Sequence, residues 1–137
     1  MKWELNGFKK GKIVRIKIDN YFYHYGLLIE DDKVIQYGTK EDAFKVDNKD
    51  VVINICDLKD FGKGFVEVSN YSFKEKLKKN STKKSIKLAL NRLGEAKYDS
   101  LSNNCEHFVN ECVFNKHTSS QITNLRNKLK DEWDHKN

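Results

Sequence analysis

The 137-residue sequence has no proline, one methionine and only three arginines among its 26 basic residues. No proline-rich linker divides the chain, and no internal repeat is visible. The scarcity of arginine (Arg15, Arg92, Arg126) argues against nucleic acid as a partner, despite a net charge of +6 and a pI near 9.1. Bidentate recognition of phosphate and guanine favours the arginine fork, and the scattered lysines read as solvated surface. Reversible attraction to anionic lipid headgroups stays open. No stretch reaches the ~18–20 uncharged apolar residues of a membrane-spanning helix, and residues 1–10 have no apolar core behind their lysines. A cytoplasmic protein without a secretory signal is expected, at most peripheral to a membrane. Three cysteines, Cys56, Cys105 and Cys112, form no CxxC pair. Neither a disulfide framework nor a zinc site is suggested, and a reducing compartment fits.

What is present suffices for one folded unit: 38% hydrophobic and 12% aromatic residues over a length typical of a single domain, here 1–137. Residues 11–18 alternate apolar and polar side chains as a half-buried strand does. Residues 21–29, the turn at Glu30, Asp31 and Asp32, and residues 33–37 read as a hairpin. Residues 51–56 and 65–68 supply two more strands, so the first half is expected to be an antiparallel β-meander. The pattern then changes. Residues 81–93 place Ile86, Leu90 and Leu93 at helical spacing behind a capping Ser or Thr and stop at Gly94. A second helix is expected from Asn103, with Glu106 three residues on as a capping-box partner and Phe108, Val109, Cys112 and Val113 as its apolar stripe. A third, over residues 119–133, lines up Ile122, Leu125, Leu129 and Trp133, a face expected to be buried against the core at about 8–116.

Cys105 falls in the first turn of the second helix, where unpaired backbone N–H groups and the positive end of the dipole favour a thiolate. A buried, inert cysteine competes with that reading, and for Cys112, two turns deeper, it prevails. A nucleophilic cysteine needs a base. His135 and His117 lie near helix or chain ends, and His107 points about 200° round the helix from Cys105, which suits a structural role. His24 is left, in a strand among aromatic residues. Gln36 lies twelve residues further on, so a hairpin with an even register sum puts both on one face as diagonal neighbours. Gln36 Oε1 is then expected to accept a proton from His24 Nδ1, leaving Nε2 for the thiol.

These residues resemble a known family. His24, Tyr25 and Gly26 opening a hairpin, and Asn103, Asn104, Cys105, Glu106, His107, Phe108 and Val109 opening a helix, are similar to the H-box and NC motif of the lecithin:retinol acyltransferase family, which includes small phospholipase/acyltransferases. The likeness runs over nearly all of residues 8–116. It implies an α+β, circularly permuted papain-like fold of NlpC type, a β-meander packed against helices with the cysteine at a helix N-terminus. It implies a thiol acyltransferase or phospholipase with Cys105 as nucleophile and His24 as base, forming an acyl thioester from a phospholipid or other acyl donor. Water, an amine or an alcohol then takes the acyl group, and no metal or organic cofactor is required. Where well-studied vertebrate members carry a second histidine this chain has Gln36; an amide orients the imidazole of papain-like enzymes in the same way. The Cys105 backbone N–H is the expected oxyanion donor, with Tyr23 and Asn104 as secondary candidates. Many members end in a hydrophobic anchor, whereas this chain ends in a charged amphipathic segment. Two alternatives remain open: a cysteine amidase or peptidase, and a non-enzymatic module binding RNA or protein.

Overall fold

A computed structural model of the chain describes residues 1–20, 22–38, 51–62, 64–99 and 103–136. Six strands, β1 (Lys2–Glu4), β2 (Ile13–Lys17), β3 (Tyr23–Glu30), β4 (Lys33–Gly38), β5 (Val52–Asp57) and β6 (Val66–Asn70), combine with helices α1 (Phe73–Lys78), α2 (Thr82–Leu90), α3 (Cys105–Phe114) and α4 (Ser120–Lys136). The strands form one antiparallel sheet in the order β1-β6-β2-β3-β4-β5. The architecture is therefore α+β. The expected meander holds from β2 to β5, but β6 crosses back to pair with β2, setting Val68 opposite Val14 and Val66 opposite Ile16. That pairing buries the β-branched residues of β6 against those of β2.

Strand alternation sorts side chains into two layers. Ile13, Tyr25, Leu27, Ile35, Tyr37 and Ile53 face the helices and meet Ala89, Cys105, Phe108, Val109, Cys112 and Val113. Val14, Ile16, Leu28, Val34, Cys56 and Val68 face the other way and are covered by Phe61. In β3, Tyr25 thus belongs to the helix layer, while His24 and Gly26 belong to the layer of Phe61. Gly26 is required there, because a Cβ would sit 2.4 Å from Val34 Cγ1 and 2.9 Å from Phe61 Cε2. Gly26→Ala is expected to cost about 1–3 kcal/mol through overpacking, seen as a lower urea midpoint with unchanged slope.

The helices differ from expectation in detail. α2 is capped by Ser81, whose hydroxyl accepts from Lys84 N, but it buries Ser85 and Ala89 and leaves Leu90 and Leu93 exposed. Small residues at i and i+4 let α2 lie close on the core, which the larger Ile86, Leu90 and Leu93 would prevent. The face of α4 is not buried as a whole: Ile122 is, Leu125 is half-buried, and Leu129 and Trp133 are 57% and 67% exposed. Besides a single 3₁₀ turn at Leu58–Asp60, two elements escaped sequence reading. β1 has too few residues for a period to show, and six-residue α1 is marked by the Ser72–Glu75 capping box. Among the described residues no helix is long and apolar enough to cross a membrane.

Candidate active site

The start of α3 is built by Asn104. Its Oδ1 accepts from Glu106 N at 2.9 Å and His107 N at 3.0 Å, while His107 Nδ1 accepts from Asn104 N at 3.1 Å. Asn104 and His107 therefore form the capping box, not Asn103 and Glu106 as the spacing suggests. Asn103 is held in the preceding loop by a backbone bridge to Asp99 and by donation from its amide to Lys97 O. Glu106 is thereby turned toward α4, where its buried carboxylate accepts from Ser119 Oγ at 2.7 Å, Ser120 Oγ at 2.6 Å and Gln121 N at 3.2 Å. A carboxylate at the N-terminus of one helix thus also caps the next.

Cys105 is the first residue of α3 and 1% exposed. The β3–β4 ladder begins at the Gly26–Gln36 pair, and one residue earlier the Tyr25 N–H bonds the Cys105 sulfur instead of a β4 carbonyl. The sulfur therefore sits where the two strands part, beside the peptide joining His24 to Tyr25. The N–H groups of Glu106 and of Cys105 itself also face it and favour the thiolate. Burial outweighs them and, with the nearby Glu106 carboxylate, pushes the thiol up to about 12. This corrects the expectation of a resting thiolate. Burial therefore favours the neutral thiol over the thiolate, so iodoacetamide is expected to modify Cys105 slowly at neutral pH and rapidly once urea opens the fold.

His24 and Gln36 are brought together as the register predicts: Gln36 pairs with Gly26, and His24 is its diagonal neighbour. The contact is 2.7 Å, but it runs from His24 Nε2 to Gln36 Oε1, the reverse of the expected ring nitrogen. A chain of amides fixes the direction. Asn54 Nδ2 donates to Gly38 O at 2.6 Å and Val52 O at 3.0 Å, so Asn54 Oδ1 is the acceptor for Gln36 Nε2 at 3.2 Å. Gln36 is left presenting Oε1 to the ring, so Nε2 carries the proton and Nδ1 is the basic nitrogen. Phe61 stacks on the imidazole with centroids 5.0 Å apart and 23° between planes. His24 and Gln36 are both buried.

Of the secondary candidates, Asn104 is the helix cap described above, and its Nδ2 lies 3.5 Å from Ser119 Oγ. Tyr23 donates its backbone N–H to Gln121 Oε1, and its ring carries the Arg15 guanidinium at 4.0 Å. A cleft of about 570 Å³ opens between the β2–β3 pair and α4, with Arg15, Phe22, Tyr23, Gln121, Leu125 and Lys128 in its wall. Sequence reading passed over Phe61, Asn54 and the clasp made by Glu106. Asn54 leaves a trace, a polar residue in a Val/Ile-rich strand directly opposite Gln36. Among the described residues no group of three His, Cys, Asp or Glu side chains is placed to hold a metal ion.

His107 couples this region to pH. Its ring stacks on His117 at 4.4 Å, His117 pairs with Glu111, and Glu106 and Arg126 also act on it. Burial, reinforced by the His117 charge, lowers its pKa below the ordinary 6.5. The native state then binds fewer protons than the unfolded chain, so this contribution is present above pH ~6.5 and is lost as pH falls through the lowered value. Urea titrations are expected to show stability declining from pH ~7 to ~5, with a shallower decline in His107→Gln, whose amide can still accept from Asn104 N.

Residues 6–118 match the model of the family described as lecithin retinol acyltransferase. The chain is similar to a lecithin retinol acyltransferase of Rattus norvegicus, at 28% identity over 93% of this chain and 64% of the rat protein. It thus spans just under two thirds of that relative's length.

Proposed function

Since the chain belongs to the lecithin retinol acyltransferase family, we propose that it is a cysteine-dependent acyltransferase or phospholipase acting on a glycerophospholipid, with Cys105, His24 and Gln36 as its catalytic set. The observation carrying this reading is the oriented His24–Gln36–Asn54 chain next to the strand gap that holds the Cys105 sulfur. A polar row of this kind costs stability unless it is satisfied, and here its order sets one imidazole nitrogen as a base. The arrangement also supports the permuted papain-like description, since the histidine strand precedes the cysteine helix.

In this mechanism Cys105 Sγ attacks the ester carbonyl carbon as His24 Nδ1 takes the thiol proton. The neutral resting thiol makes proton removal part of the attack, not a step completed beforehand. Backbone N–H groups of Cys105 and Tyr25 hold the developing oxyanion; we prefer Tyr25 N–H to the Tyr23 side chain, whose ring is engaged by Arg15. The C–O bond breaks, His24 returns the proton to the departing lysophospholipid oxygen, and an acyl thioester remains on Cys105. Water, an amine or an alcohol then attacks the thioester, giving its proton to His24, and the released sulfur regains that proton. The partner is the phospholipid, met by reversible contact with a membrane surface.

Intact mass spectrometry after mixing the protein with a short-chain phosphatidylcholine tests this. An increment equal to one acyl group, released by hydroxylamine, is the expected result. No increment and no liberated fatty acid would refute it, and an adduct from a simple amide but from no ester would favour an amidase.

A further inference from the structure

The family match ends at residue 118, and α4 begins at Ser120. One wall of the cleft beside the candidate site is therefore made by a segment beyond the matched region. Resting on the reading above, we propose that this cleft binds the acyl donor through an amphipathic phosphate ester, with Arg15 and Lys128 taking the phosphate and Phe22 and Leu125 the adjoining apolar part.

The chemistry of the wall supports that ligand. At about 570 Å³ the cleft falls within the range of small-molecule sites. Arg15 is fixed in it as few surface cations are: its guanidinium lies between the rings of Trp3 and Tyr23, at 4.2 and 4.0 Å, and its Nε bonds Glu67 at 3.1 Å. It also hydrogen-bonds Tyr25. Such a cation is already ordered, so little conformational entropy is lost when it engages an anion. Lys128 adds a second positive charge from α4, while Phe22, Tyr23 and Leu125 offer apolar surface between the two. A small inorganic anion would leave that apolar surface unused, and an uncharged chain would gain nothing from the positive charge of Arg15 and Lys128 in the wall.

The cleft is also registered with the site. Tyr25 contributes to its wall and gives its backbone N–H to the Cys105 sulfur. α4 is locked in place by Glu106 at Ser119, Ser120 and Gln121 N, and by Gln121 Oε1 on Tyr23 N at 2.5 Å. A phosphate held at Arg15 and Lys128 would direct the neighbouring ester toward the β3–β4 gap.

Binding is tested on the 137-residue chain carrying Cys105→Ala, which lacks the proposed nucleophile, by following backbone amide NMR shifts. Dihexanoyl phosphatidylcholine below its micelle concentration should move the amides of Phe22, Tyr23, Asn124 and Leu125, and Lys128→Glu and Leu125→Asp should each weaken binding at least about fivefold. Both replaced side chains lie on α4 outside the sheet, so circular dichroism of each variant checks that the fold is retained. Inorganic phosphate and hexanoate form the control arms. Saturation of the same amides by phosphate at equal concentration would show a free-phosphate site and overturn the proposal, as would shifts elsewhere or shifts indifferent to both variants. Acylation of the wild-type protein by a phosphate-free ester, p-nitrophenyl butyrate, keeps the two readings apart: adduct formation without binding in the cleft would sink this proposal alone.

Discussion

Cys105→Ala is expected to abolish the acyl adduct and to lower phospholipid turnover on the order of 10⁶-fold, the scale seen when a hydrolase loses its nucleophile. The substitution removes one buried sulfur and leaves the Asn104 helix cap and the His24–Gln36–Asn54 chain in place, so the fold should survive it. The sulfur has a high pKa in the closed site because burial and Glu106 oppose its ionisation, and its replacement by a methyl group removes a weakly polar atom from an enclosed space. Stability near or slightly above wild type, with activity gone, is the expected pair of results, measured by urea denaturation and fatty-acid release. Parallel loss of both would assign Cys105 to packing.

His24→Ala should lower acylation by about 10²–10⁴-fold, the contribution of a positioned general base. A second effect accompanies it. The imidazole stacks on Phe61 and caps the Gln36–Asn54 amide chain, so its removal leaves Gln36 Oε1 buried without that donor, at a cost of about 1–3 kcal/mol. Gln36→Leu separates the two roles, since it keeps the histidine but releases its ring. Turnover should fall with little change in substrate affinity, and the pH profile should lose its simple dependence on one basic group. Gln36→His, which restores a polar partner, should recover part of the rate.

The sequence made much of this site readable, for identifiable reasons. An even residue separation and a short turn were enough to put His24 and Gln36 on one face, because strand geometry leaves no other choice once the register is set. The Asn-Cys junction marked the start of α3, since capping side chains announce helix ends. What failed was choosing between equivalent local solutions. Asn103 and Asn104 can each cap a helix, and only the loop bridge to Asp99 engages the first. Either nitrogen of an imidazole can meet an amide oxygen, and the choice was made by Asn54 from a third strand. The thiol likewise answers to its enclosure: helix-start N–H groups favour the anion, but their effect is smaller than that of burial. The return of β6 to β2 and the closeness of α2 through Ser85 and Ala89 depend on contacts between distant segments, which local periodicity does not encode.

The central proposal is that Nδ1 of His24, whose Nε2 meets Gln36 Oε1 at 2.7 Å, serves as the base for Cys105. Nitrogen-15 NMR of the His24 ring in the resting protein near neutral pH tests it most directly. The account predicts a neutral ring protonated at Nε2, with an Nδ1 resonance that moves when Cys105 is replaced by alanine. A ring protonated at Nδ1, or an Nδ1 resonance indifferent to Cys105, would contradict it.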